Sequence, residues 1–284
     1  MKQNYNPDEG QLMPVLNADN MVKYTLRNEN PEALENAINA MNNGDVSLIG
    51  FSGKKASGKD TLAEIFKANF EEEFGRAAFS PFAFPLKGEA TSIIMFIYQW
   101  VHGMGFDNES RMLTRLANNY NLTPEQARYI YNLLLPELKI ADRPFDGWTR
   151  TESVWTLLRT LGTDIRQPQD KIYWVRRTVQ TIVSNANNGI STIVQDVRFL
   201  HEVEALKDMG AFVARVDITP EAQARRLGVR DGVVADDAAR QHASETALDD
   251  YPNFDIRVDN STDGQQLVAA EKVYSHWLKT RKGN

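Results

Sequence analysis

The sequence predicts an α/β fold, a parallel sheet flanked by helices, on three observations. An apolar run, Val46–Gly50, meets the glycine-bearing stretch "GKKASGK" and then a helical pattern. Beyond residue 190, apolar strand-like runs alternate with amphipathic helical ones. Strands separated by helices pair in parallel and bury both faces of their sheet. Finally, the 284 residues are 42% hydrophobic and 25% charged, enough for one large domain or two small ones.

Residues 1–44 read as an Asn-rich N-terminal extension with one amphipathic helix, "NPEALENAINAMNNG", opened by Asn30 as cap and Pro31 in the first turn. After the "NNGD" break, Val46–Gly50 is a buried strand. A helix over 60–74 follows, because Leu62, Ile65, Phe66 and Phe70 share a face. "AAFSPFAFPL" reads as a short strand and turn, and residues 86–101 as a helix. Residues 88–150 read as an inserted helical region, including "TPEQARYIYNLLLPEL" capped by Thr123. Helices are expected near 152–161 and 171–187, with a break at Gly162. The chain then alternates: strand "ISTIVQD", helix "FLHEVEALKDMG", strand "AFVARVDI", helices "TPEAQARRLG" and "ADDAARQHASE", strand "FDIRVDN" and helix "DGQQLVAAEKVYSHWLKT".

Composition narrows the function. A net charge of -6 argues against a nucleic-acid partner. Without cysteine there is no disulfide or thiolate metal site, and an intracellular location fits. The four histidines lack zinc-ligand spacing. No run reaches the roughly 18 apolar residues of a membrane span, and "MKQNYNPDEGQLMP" has no signal-peptide core. The expectation is a cytoplasmic protein with no membrane partner.

Gly53, Gly58 and Lys59 satisfy GxxxxGK, the phosphate-loop spacing. By composition that spacing arises by chance in about one chain in ten of this length. Its place between a buried strand and a helix makes the reading specific. Glycines let successive backbone N–H groups turn toward phosphate oxygens, which makes Gly53, Lys55, Ser57 and Gly58 nucleotide-binding candidates. The helix N-terminus adds positive potential, and Lys59 reaches the β- and γ-phosphates. Asp60 stands where a hydroxyl is usual. It reads as a magnesium ligand, directly or through water, or as a first-turn acid favoured by the helix dipole. Thr61 can bond the α-phosphate.

"STIVQDVRF" ends an apolar strand at Asp196, the place where parallel sheets bind ligands. Asp196 reads as a magnesium or substrate anchor, and Arg198 as a bidentate phosphate ligand. Arg225, Arg226 and Arg230 lie in or just after a helix of a lid over about 219–250, suited to neutralise a moving phosphoryl group. Around Gly162, Arg159, Thr163, Asp164 and Arg166 are candidate phosphate and sugar contacts, with Trp174 one turn on. Lys87, in "FAFPLKGEA", is a candidate for the substrate phosphate.

Four stretches in this order, "SGKKASGKDT", "LGTD" with "YWV", "QDVRFLHEVEALKDMGA" and "IRVDNSTDGQQL", make residues 46–280 resemble the bacteriophage deoxynucleoside monophosphate kinases. The resemblance implies an adenylate-kinase-like P-loop kinase fold over 45–284, with an inserted helical substrate-binding region and a lid. It implies transfer of the γ-phosphate of ATP, with Mg2+, to a deoxynucleoside monophosphate in the host cytoplasm. It places Lys55, Gly58, Lys59, Asp60 and Thr61 at ATP. It places Lys87, Thr163, Asp164, Trp174, Asp196, Arg198 and Glu202 at the monophosphate, and it implies a homodimer. Two other functions share the loop: a kinase of another small phosphorylated metabolite, such as phosphomevalonate, and a non-catalytic nucleotide-binding protein. A nucleobase requirement separates the first, and the arginines around a second acidic site argue against the second.

Overall fold

The computed structural model describes residues 4–5, 12–13, 30–103, 108–231 and 243–282. Its contacts divide the chain into a sheet unit, through Phe82 and again from Val175, and a helical unit, Ala83–Trp174.

In the sheet unit, helix α1 (Pro31–Asn42) begins where Asn30 accepts the Ala33 N–H at 3.1 Å, and it buries Leu34 and Ala37. Five strands form one sheet: β1 (Leu48–Gly53), β2 (Ala77–Phe79), β3 (Ser191–Val197), β4 (Phe212–Asp217) and β5 (Ile256–Asp259). The order is β2-β3-β1-β4-β5, and every pairing is parallel. The expected strand at 46–50 therefore sits two residues later and runs into the glycine loop. Near-continuous burial along β1, β3 and β4 is the mark of strands covered on both faces. Helix α2 (Lys59–Phe74) and the C-terminal helix Gln266–Lys282 cover one face through Phe51, Phe66, Phe70 and Trp277. Phe66 meets Phe51 and Trp277 edge-on at 5.6 and 5.4 Å between centroids, a favoured aromatic geometry. At the far N-terminus, Asn4–Tyr5 pairs antiparallel with Leu12–Met13.

The helical unit packs α3 (Ala83–Val101), α4 (Glu109–Asn119), α5 (Pro124–Ile140) and α6 (Glu152–Arg159) around Ile93, Ile97, Met112, Leu116, Ile130 and Leu134. Thr123 and Gln126 close a capping box that starts α5. Helix α3 begins three residues earlier than expected, so Pro85 sits in its first turn, where a missing N–H costs nothing. The break expected at Gly162 is absent. Thr160–Arg166 continues α6 as a π-helical turn, then Gln167–Gln169 leads to α7 (Tyr173–Asn187). A π turn widens the helix by one residue per turn and is a frequent feature of functional sites. Among the described residues no helix is long and apolar enough to cross a membrane. The helix expected at "ADDAARQHASE" lies outside them except for Ala243–Thr246.

Candidate active site

Strand β1 ends at Gly53 and α2 begins at Lys59, so the loop between them opens at the C-terminal edge of the central strand. Gly53 has no room for a side chain. A Cβ there would lie 2.6 Å from Ser57 Oγ and 2.7 Å from the Val216 carbonyl. Gly58 has φ +85°, and a Cβ would meet Asn260 Nδ2 at 2.5 Å. Ala56 holds φ +63°, a left-handed conformation that a side chain makes costly by roughly 1–2 kcal/mol. Strain kept at a binding loop indicates a conformation fixed by its surroundings.

Those surroundings are visible. Asn260, buried after β5, donates to the Ser57 carbonyl at 2.7 Å. Arg226 donates to the carbonyls of Ala56 and Ser57 at 3.3 and 3.5 Å. Gln223 donates to the Lys55 carbonyl at 2.9 Å. Lys59 is 6% exposed, with Nζ 3.5 Å from Asp60 Oδ2, while the Asp60 side chain itself is open to solvent. Thr61 is exposed beside it.

Next to β1, register pairs Ser52 with Val197, so Asp196 emerges at the same edge as Gly53. Its Oδ1 accepts the Phe82 N–H at 2.7 Å. Arg198 Nη1 lies 3.7 Å from Glu245 Oε1. Glu202 is buried and its Oε2 accepts the N–H groups of Arg198 and Phe199 at 2.7 and 3.0 Å. The structure therefore gives Glu202 the work of shaping the turn that carries Arg198. Burial, aided by the nearby Asp196 charge, pushes its carboxyl up to about 8, against the pull of those two N–H groups.

This has a measurable consequence. The folded state keeps a proton on Glu202 that the unfolded chain releases above its ordinary 4.5, so stability falls as pH rises from about 4.5 to about 8. Glu202→Gln retains an acceptor oxygen and cannot titrate. Denaturant melts across that range are expected to show a flatter pH slope in this variant. Glu202→Ala, which strands two N–H groups, is expected to lose ~1–3 kcal/mol at pH 7.

Arg225 and Arg226 both grip Asp263, at 3.1 and 2.9 Å from their Nε atoms, and these contacts hold the Asp263 carboxyl below its usual range. Arg226 thus bridges Asp263 and the phosphate loop, while Arg225 stays half-exposed. Arg230 lies in the helix α8 (Pro220–Asp231), but its side chain is outside the described residues, as are residues 232–242 of the expected lid.

In the helical unit, α3 carries Lys87, and its Leu86 passes Gly162 so closely that a Cβ there would be 3.4 Å away. Thr163 and Asp164 are exposed, and Lys87 is half-buried. Trp174 is half-buried and donates through Nε1 to the Gly162 carbonyl at 3.3 Å. Arg159 is exposed in the last turn of α6. Arg166 differs from expectation. It is 3% exposed, and its guanidinium bonds Glu89 and the carbonyls of Tyr120 and Asn121. The π turn rotates it inward, so it braces the helical unit instead of facing solvent. Two exposed aromatics not singled out in the sequence, Phe84 and Trp148, meet edge-on at 5.8 Å, with Lys87 Nζ 5.8 Å from the Trp148 ring. Gly147 seats that loop, because a Cβ would fall 2.4 Å from the Lys87 carbonyl. Other residues unmarked in the sequence are Gln223, Glu245, Asp249, Asn260 and Asp263. Each acts through long-range contacts that carry no local spacing signal.

The family model for deoxynucleotide monophosphate kinase matches residues 47–226, from the start of β1 through Arg226. The chain belongs to the deoxynucleotide monophosphate kinase family. It is therefore a kinase, a phosphotransferase. A similar protein is the deoxynucleotide monophosphate kinase of Escherichia phage RB69, 24% identical over 60% of this chain and 82% of that protein. An uncharacterized protein, ORF77, of Ictalurid herpesvirus 1 is 27% identical over 45% of each chain. The family match covers both the phosphate loop and the Asp196–Arg198 strand end, so the two halves of the sheet-unit site fall within it.

Proposed function

We propose that this kinase transfers the γ-phosphate of ATP to a deoxynucleoside 5'-monophosphate, giving the diphosphate and supplying DNA precursors. The observation that carries the reading is the strained, externally braced loop at Gly53–Lys59, with Asp196 emerging beside it. Phosphoryl transfer needs positioning and charge neutralisation more than covalent help. In the sheet unit, the Lys55 and Lys59 side chains, Ser57, Gly58 and Thr61 hold the ATP phosphates, and Arg225 neutralises charge on the transferring group while Arg226 braces the loop from outside. Arg198 takes the acceptor phosphate. In the helical unit, Lys87, Arg159, Thr163, Asp164 and Trp174 contact the acceptor. Phe84 and Trp148 offer an aromatic face beside a cation, which suits a nucleobase.

The loop fits a bound nucleotide. Ser57 Oγ, buried in the loop, has no hydrogen-bond partner of its own. The carboxylates also fit magnesium. No group of three or more His, Asp or Glu among the described residues could hold a metal alone. That suits magnesium, which binds through one or two carboxylates, water and substrate phosphates. Asp60 and Asp196 would hold it, and when bound it would offset charge on the phosphate oxygens. We propose also that two chains form a homodimer, as the family resemblance implies.

A coupled assay for ADP formation, with ATP, Mg2+ and each deoxynucleoside and ribonucleoside monophosphate in turn, tests the reading. Turnover is expected with one or more deoxynucleotides and none with phosphomevalonate. ATP binding with silence toward every monophosphate would overturn it.

A further inference from the structure

Five side chains from three stretches of the sheet unit grip the phosphate loop. Gln223, Arg226 and Asn260 take carbonyls at Lys55, Ala56 and Ser57. Asp249 pairs with Lys54 Nζ at 2.7 Å and with the buried Arg215 at 2.7 Å. Glu245 instead accepts a backbone N–H, that of Lys55, at 2.5 Å through Oε2. Its other oxygen faces Arg198 at 3.7 Å, and the side chain is only 9% exposed.

A carboxylate at an anion-binding loop could compete with phosphate or organise the loop, and peptide planarity decides between them. In a trans peptide the C=O and the following N–H point in opposite directions. The Lys54 carbonyl turns into the loop, where it accepts the Ser57 N–H at 3.1 Å. The Lys55 N–H on the same plane therefore turns outward, to Glu245. The carbonyls of Ala56 and Ser57 point the other way, out toward Arg226 and Asn260. Their planes aim the N–H groups of Ser57 and Gly58 inward. Glu245 thus stands outside the cradle.

We infer that Glu245 is a positioning residue for phosphoryl transfer. One carboxylate fixes the Lys55 peptide of the loop through one oxygen and orients Arg198 through the other. A charge-assisted acceptor holds such a peptide more firmly than a neutral one. The inference rests on the proposed roles of the loop in ATP binding and of Arg198 in acceptor binding. Glu245 touches neither substrate.

Steady-state kinetics of the full chain, varying ATP and the accepted deoxynucleotide separately, test it in Glu245→Ala and Glu245→Gln, with Lys59→Ala alongside. Glu245→Ala loses both contacts and is expected to lower kcat/KM for ATP about 10- to 100-fold. Glu245→Gln keeps an acceptor for Lys55 but loses the charge facing Arg198. Its KM for ATP is expected to return to within about 3-fold of the parent, with KM for the deoxynucleotide still raised about 10-fold. That split and the rescue by Gln would not follow from a loss of stability. Tighter ATP binding in either variant, or unmoved kinetics with a lowered Tm, would overturn the inference. A parent chain idle with every deoxynucleotide, or Lys59→Ala with unaltered ATP kinetics, would instead overturn the functional reading on which it rests.

Discussion

Lys59→Ala is expected to cut kcat by about 10²- to 10³-fold while the protein stays folded. Lys59 opens α2 directly after the loop and is 6% exposed, so its ammonium is held at the loop and not spread through solvent. A fixed, buried charge stabilises developing phosphate charge far more than an exposed lysine could. Alanine is a good helix former at the start of α2. Circular dichroism should therefore match the parent chain, and the loss should appear in turnover. A rate equal to the parent's would show that the loop binds nucleotide without acting on it.

Arg166→Ala carries the largest expected effect on stability, about 3–5 kcal/mol. The guanidinium bonds Glu89 through Nε at 3.0 Å and also through Nη2, and it donates to the carbonyls of Tyr120 and Asn121. It also packs over the Tyr173 ring at 5.5 Å. Removing it leaves Glu89, itself only 15% exposed in its side chain, without its counter-charge and takes a donor from two carbonyls. Breaking one side of a buried pair leaves the other as an uncompensated charge, hence the size of the loss. Urea denaturation measures it directly. A substrate-contacting Arg166 would behave oppositely, with KM raised and stability kept.

The contrast between Lys59 and Arg166 shows what the sequence made legible. Strand, loop and helix around "GKKASGKD" follow from local pattern, because glycine spacing and apolar periodicity are local properties. The parallel sheet follows from the alternation after residue 190. Asp196 is legible because a strand end is a place that pattern can locate. Arg166 is not, because its inward direction depends on the π turn at Thr160–Arg166, and a one-residue change of helical phase leaves no trace in composition. Glu202 shows the same limit. Its position was legible but its environment was not, since its burial and the two N–H groups it accepts come from folding. Glu245, Asp249 and Asn260 reach the loop from about 190 or more residues away in sequence, where spacing carries no signal.

The central claim is that the phosphate loop and the Asp196–Arg198 strand end pass a phosphoryl group from ATP to a deoxynucleoside monophosphate. Incubation with γ-labelled ATP, Mg2+ and the accepted monophosphate, followed by chromatography of the products, tests this directly. The account predicts label in the deoxynucleoside diphosphate, formed in step with ADP and lost in Lys59→Ala. Label released only as inorganic phosphate, or retained wholly in ATP, would contradict it.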